Sequence, residues 1–177
     1  MAYTQVSGLE SVLDENSAVY LKQAGEKGTE MFANKDYKKG DPIFVVAGPI
    51  SKKPSFYTIP IRTDLFIDPV PVNNLGRYLN HSCDPNIGIK ENTIVVAFKD
   101  INKGDEITID YAMIVDIYDT GLGEEDIKCK CSSKRCRGQL GSWYKLPEEL
   151  KNEYRGFTSD YIMEYDEKLK ALKDDKK

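Results

Sequence analysis

Residues 128–137 read KCKCSSKRCR and hold three of the chain's four cysteines, Cys129, Cys131 and Cys136. The spacing C-x-C-x4-C offers three soft thiolate donors, whereas a tetrahedral Zn²⁺ site takes four ligands. A disulfide between Cys129 and Cys131, one residue apart, would close a strained ring. The remaining cysteine, Cys83, lies in LNHSCDPN just after His81, the chain's single histidine. His81 is a second possible donor, but at that spacing it would compete with Cys83 rather than join it. The alternative is that the cysteines are unrelated free thiols, some of them buried as small hydrophobes. A zinc site closes the ligand count and would staple the end of the chain to its middle.

A chain of 177 residues suits one domain with at most a small appendage. At 40% hydrophobic and 31% charged residues it has the composition of a folded domain. The net charge of -4 argues against the basic face that non-specific nucleic-acid binding needs. The N-terminus, MAYTQVSGLE, lacks the pattern of a signal peptide, and no apolar run is long enough to span a bilayer. The expected location is therefore a reducing intracellular compartment, where thiols bind metal or stay free.

The elements that must position these residues read as short strands with tight turns. The pattern A-x-K-D-x-x-K-G-D-x-I occurs twice, at 33–43 and 97–107. Each copy reads as strand, turn and strand, with Gly40 and Gly104 supplying the positive φ of the turn. The segments YTIPI, IFVVAG, TIVVAF and EITIDYA are apolar and rich in β-branched residues. The end of the chain differs. Pro147, followed by Glu148 and Glu149, suits a helix start, with Leu146 and Leu150 fixing its entry. A second helix is expected from about Ser159, with Tyr161, Ile162, Tyr165, Leu169 and Leu172 on one face. The final KALKDDKK is expected to fray.

Three segments together resemble the SET domain of protein lysine methyltransferases with a post-SET zinc segment. GRYLNHSCDPN (76–86) is similar to the family's R-F/Y-x-N-H-S-C-x-P-N motif, GDEITIDY (104–111) to its G-E-E-L-x-x-D-Y motif, and CKCSSKRCRGQL (129–140) to the pattern C-x-C-x4-C-R-G-x-L. Their order agrees, and the resemblance runs from about residue 17 to 143. It implies a mainly β fold, the SET-type β-clip of small curved sheets with a pseudoknot, plus a post-SET zinc segment and a C-terminal helical extension. The expected boundaries are 17–112 for the SET domain, 113–143 for the post-SET segment and 144–177 for the helical tail.

The activity implied is methyl transfer from S-adenosylmethionine to a lysine of a protein, histone-like or another basic peptide, without nucleic acid or membrane as direct partner. The resemblance puts Cys83 with Cys129, Cys131 and Cys136 on one structural zinc ion. It makes Tyr111 the catalytic residue, lining the lysine channel beside the transferring methyl, with Ile109, Tyr78 and Tyr118 as further channel residues. It places Asn80 and His81 on the cofactor, together with Lys27, Gly28, Glu30, Met31, Arg77, Leu140 and Trp143. Arg77 has an alternative reading as a hairpin brace, and Trp143 one as packing against the tail. Ile109 stands where an aromatic residue often limits methyl addition, so di- or trimethylation is expected. The acidic run Asp116, Asp119, Glu124, Glu125 and Asp126 borders the expected substrate groove and would favour a basic peptide, or is a solvated loop. The implied location is the nucleus or a bacterial cytoplasm.

Two positions depart from the family's pattern. Glu30 stands in place of the second glycine of G-x-G, and Val46 in place of a tyrosine in E-Y-x-G-E. These departures leave a second reading, a SET-like domain without methyl transfer that serves as a zinc-stapled binding module or runs different chemistry on a small molecule.

Overall fold

In the computed structural model the described residues are 17–23, 28–55, 57–68, 75–115 and 127–174, with side chains to 171. Lys27, Tyr118 and the acidic run 116–126 lie outside them, as do the side chain of Leu172 and residues 175–177. The strands are short and form several small sheets. β1 (Val19–Gln23) and β2 (Thr29–Ala33) make an antiparallel pair. β3 (Pro42–Val45), β8 (Ile87–Lys90) and β9 (Ile94–Ala97) form an antiparallel sheet in the order β3-β9-β8. β4 (Ile50–Ser51), β5 (Ile59–Arg62) and β6 (Leu65–Ile67) form another in the order β4-β6-β5. β7 (Asn80–His81) runs parallel to β10 (Thr108–Ile109). This mainly β architecture of small sheets is the expected fold class. No helix among the described residues is long and apolar enough to cross a membrane.

The repeated A-x-K-D-x-x-K-G-D-x-I segments face one another around an approximate two-fold axis. Tyr37 and Ile101 exchange both backbone hydrogen bonds, at 2.8 and 2.9 Å. Gly40 N–H donates to Ala97 O and Gly104 N–H to Ala33 O, each at 2.8 Å. Asp100 accepts from Lys39 N–H at 2.9 Å, and Asp36 from Lys103 N–H at 2.8 Å. Each of these backbone-donated bonds has its image, as in a self-complementary interface between two copies. Gly40 and Gly104 take φ of 96° and 92°, the left-handed conformation that the turns require. The interlocked turns carry GDEITIDY back beside GRYLNHSCDPN, so that β10 meets β7.

EITIDYA yields only a two-residue strand before a 3-10 turn, Tyr111–Met113. The break has a local cause. Asp110 is the N-cap of that turn, and its Oδ1 accepts from Ala112 N–H at 3.1 Å.

The chain ends in two helices, α1 (Glu148–Tyr154) and α2 (Asp160–Asp174), close to the expected places. They are built into the core, where Tyr154, Tyr161 and Ile162 are buried beside Ile87, Ile89, Ile109 and Met113. Ile89 N–H on the sheet edge β8 donates to Phe157 O at 2.9 Å, which covers part of that edge. The fit requires Gly88, because a Cβ there would stand 2.6 Å from Phe157 O. Asn92, at φ 61°, accepts from the Ser159 hydroxyl at 2.6 Å and from Tyr161 N–H at 3.0 Å, so the β8–β9 turn holds the start of α2. One expectation fails here. Tyr165 is 45% exposed, and Asp166 takes the inward position, paired with Lys170 at 2.7 Å. Tyr161 and Ile162 of the assigned stripe are buried and Leu169 is half-buried, so Tyr165 alone among its described side chains turns outward.

Candidate functional site

The parallel pairing of β7 with β10 sets Asn80 opposite Thr108 and His81 opposite Ile109. Parallel pairing delivers the residues that follow each strand to the same end, and this brings Cys83 and Tyr111 close to His81. Cys83 is buried, and its Sγ lies 3.7 Å from Cys129 Sγ. The donor atoms of His81, Cys83, Cys129 and Cys131 all fall within 4.8 Å of one another. Cys136 reaches the same cluster through contacts with Cys129 and Cys131. The hairpin Cys129 N–H to Gly138 O (3.0 Å) and Leu140 N–H to Ile127 O (3.0 Å) holds the later cysteines in place.

This donor set fits zinc. Zn–S bonds of about 2.3 Å in a tetrahedron put sulfurs about 3.8 Å apart, close to the separation found. Backbone N–H groups point at the sulfurs, as suits thiolates: Arg137 donates to Cys83 at 3.4 Å, Cys83 to Cys131 at 3.5 Å and Gly138 to Cys136 at 3.4 Å. Burial raises the Cys131 thiol pKa, but the N–H donors of Cys83 and Ser133 together with the thiols of Cys129 and Cys136 bring it down to about 6. Burial drives Cys129 in the opposite direction, upward.

The geometry also separates His81 from the cysteines. Tyr111 N–H donates to Nδ1 at 3.2 Å, which leaves the ring hydrogen on Nε2, 3.3 Å from Cys83 Sγ. Burial, with the nearby Arg137 charge adding to it, lowers the His81 pKa to about 4, so the ring is neutral. Its 3.8 Å contact with Asp110 is therefore not an ion pair. In this arrangement the ring hydrogen on Nε2 faces Cys83 Sγ, so His81 stands beside the cluster as a donor to sulfur.

Beside the cluster lies a cavity of about 200 Å³, walled mainly by apolar side chains. It brings together Arg77, Asn80, Tyr111 and Leu140 among the residues singled out from sequence. The Tyr111 hydroxyl donates to Leu79 O at 2.9 Å, and its ring lies 5.1 Å from that of His81. Burial pushes the Tyr111 pKa up to about 12. Asn80 Nδ2 donates to Thr29 O at 3.1 Å, tying the cavity wall to β2. Arg77 stacks on the ring of Tyr57 with its guanidinium carbon 3.9 Å from the ring centre, in place of a hairpin brace.

Other singled-out residues stand elsewhere. Met31 is wholly buried in the core, where its carbonyl accepts from Ile107 N–H. Trp143 and Ile109 are core residues as well, at 1% and 0% exposure, and neither lines the cavity. Gly28 (φ 81°) and Glu30 are at the start of β2, with open space around Gly28. Glu30 sits opposite Lys22 in the β1–β2 register. Tyr78 is half-buried against the core. Val46 fills the space against Gly76, where a Cβ would lie 2.9 Å from Val46 Cγ1. The cavity also uses Ser55, Tyr57 and Thr58 from the β4–β5 connection and Ile127 before the cysteines. Sequence reasoning missed these, and KKPSFYT carries no signal beyond that of a loop.

Comparison with known proteins agrees with this geometry. The family described as SET domain matches residues 28–112. The histone-lysine N-methyltransferase set1 of Dictyostelium discoideum is 38% identical over 95 residues, which cover 49% of this chain and 6% of that protein. A histone-lysine N-methyltransferase of Yarrowia lipolytica, H3 lysine-36 specific, is 30% identical over 138 residues, covering 66% of this chain and 17% of the relative. This chain thus spans only a small part of the length of those relatives. The crystal structure of KRYPTONITE in complex with mCHH DNA, H3(1-15) peptide and SAH superimposes with a TM-score of 0.56 at 21% identity, covering 69% of this chain and 29% of that one. With the three motifs in order, residues 28–112 of this chain match the SET domain family.

Proposed function

We propose that this chain transfers a methyl group from S-adenosylmethionine to the side-chain amine of a protein lysine. Bound in the cavity, the cofactor supplies an electrophilic methyl on a sulfonium. The amine lone pair forms the N–C bond while the S–C bond breaks, sulfur keeps that electron pair, and the methylated amine gives up a proton to solvent. The observation that carries the reading is Tyr111 on the same cavity wall as Asn80, Arg77 and Leu140.

The residues address the two difficulties of this reaction. A lysine in water has a pKa near 10.4, so only roughly one in several hundred is neutral at pH 8. An apolar cavity disfavours the ammonium. Tyr111 is un-ionised at any working pH and is held by Leu79 O, so it acts as a fixed wall and dipole rather than as a base. Orientation then supplies much of the rate. Asn80, Arg77 and Leu140, which line the cavity, would hold the cofactor. Cys83, Cys129, Cys131 and Cys136 would hold a structural zinc ion, which takes no part in the chemistry.

The substrate fitting this reading is a basic, lysine-containing peptide, histone-like as in the relatives' names, met inside the cell. Calorimetric titration of zinc-loaded protein with S-adenosylmethionine and S-adenosylhomocysteine tests the cofactor site. Micromolar binding of both supports it, and absence of heat and of competition in folded protein contradicts it.

A further inference from the structure

Asp110 immediately precedes Tyr111 and is wholly buried. Its carboxylate is fully used. Oδ1 accepts from Ala112 N–H at 3.1 Å and from Arg137 at 2.9 Å, while Oδ2 accepts from Arg137 at 2.6 Å and from the Tyr154 hydroxyl at 3.2 Å. These donors fill the lone-pair directions a carboxylate offers. The last of them comes from α1, outside the residues that match the SET family. Its neighbour Glu153 takes both guanidinium nitrogens of Arg135, at 3.1 and 2.7 Å. Consecutive residues of α1 thus engage the two arginines that flank Cys136, one directly and one through Asp110.

We propose that α1 belongs to the catalytic unit and that Tyr154 is a positioning residue for Tyr111, acting through Asp110; the proposal rests on the methyl-transfer reading. A carboxylate held between a guanidinium, a phenol and a backbone N–H has one arrangement that satisfies every donor. Removing the Tyr154 hydroxyl leaves part of Oδ2 bare where no water reaches, and an unmet buried acceptor is costly. The carboxylate then turns toward Arg137 and releases Ala112 N–H, the bond that pins the Tyr111–Met113 turn. A displacement of about 1 Å at a reacting centre lowers the rate by about a hundredfold. The Tyr154 ring itself is set edge-on against Phe98 at 5.5 Å, so Tyr154→Phe keeps the packing and removes only the hydroxyl.

The test compares Tyr154→Phe with Tyr37→Phe, which removes another buried tyrosine hydroxyl, one bonded to Ala18 O and not to Asp110 or the Tyr111–Met113 turn. Amide hydrogen exchange at Tyr111 and Ala112 reports the turn, and kcat and KM for methyl transfer report the reaction. Tyr154→Phe is expected to speed exchange at Ala112 and to lower kcat, each by about tenfold, equivalent to roughly 1.4 kcal/mol. KM for S-adenosylmethionine is expected to stay near its starting value, and Tyr37→Phe to leave exchange at Tyr111 and Ala112 and kcat unchanged. Equal exchange at Ala112 in the two variants, or an equal fall in kcat, overturns the proposal. Should the parent protein transfer no methyl group, the methyl-transfer reading fails, and exchange alone still decides whether Tyr154 positions the turn.

Discussion

The backbone N–H of Tyr111 donates to Nδ1 of His81 at 3.2 Å. Because the opposite ring nitrogen points at Cys83 Sγ, one neutral imidazole joins the Tyr111–Met113 turn to the cysteine cluster. Groups that hydrogen-bond to metal ligands typically change metal affinity by about 10–100-fold. His81→Ala is therefore expected to lose zinc to a chelator at least about tenfold more readily. It also strips a buried N–H of its partner, at about 1–3 kcal/mol of stability. Chelator competition and thermal unfolding check both outcomes, and unchanged zinc retention would detach His81 from the cluster.

Leu140 lines the cavity whereas Trp143 is sealed in the core. Leu140→Ala is expected to weaken S-adenosylhomocysteine binding by about tenfold, on the scale of burying one leucine side chain. Trp143→Phe is expected to lower stability but leave that affinity nearly unchanged. Calorimetry on both variants decides; loss of affinity in Trp143→Phe would bring the indole to the cofactor.

Gly88 admits the Phe157 carbonyl onto the edge of β8. Gly88→Ala forces that contact apart, and overpacking of this kind costs about 1–3 kcal/mol. The melting temperature should fall, and limited proteolysis should release the segment after Lys145 before the rest of the chain. A variant as stable as its parent would mean that the tail docks more loosely than Ile89 and Phe157 indicate.

Burial raises the Tyr111 pKa from its ordinary value near 10 to about 12. The folded state thus favours the phenol over the phenolate. Its contribution to stability is complete below pH 10 and is lost as pH rises from 10 through 12. Phenolate absorbance of the parent protein minus that of Tyr111→Phe should show no ionisation below pH 10. A difference signal between pH 8 and 10 would place Tyr111 in contact with water or a cation.

Much of this site was legible in the sequence because its residues are bunched in short motifs. Cys83 and the later cysteines followed from ligand chemistry, and the repeated K-G-D turns from glycine and aspartate spacing. What the repeat would do was not legible, since the pairing of Tyr37 with Ile101 is a contact between distant segments. The cavity wall at Ser55, Tyr57 and Thr58 escaped for the same reason. Met31, Ile109 and Trp143 showed the opposite limit, because a residue beside a motif can turn its side chain into the core. Tyr165 failed because the helix stripe was assigned by apolar type alone, whereas the inward position belongs to Asp166 with Lys170 as its partner.

The most direct test supplies methyl-labelled S-adenosylmethionine and a lysine-rich histone-like peptide to the zinc-loaded protein and to its Tyr111→Phe variant, and measures label in lysine after hydrolysis. Labelled methyl-lysine is expected from the parent protein, with the variant slower by at least about tenfold, in the range of one positioned catalytic group. A folded, zinc-loaded protein that binds S-adenosylhomocysteine yet leaves a range of basic peptides unlabelled would contradict methyl transfer to lysine.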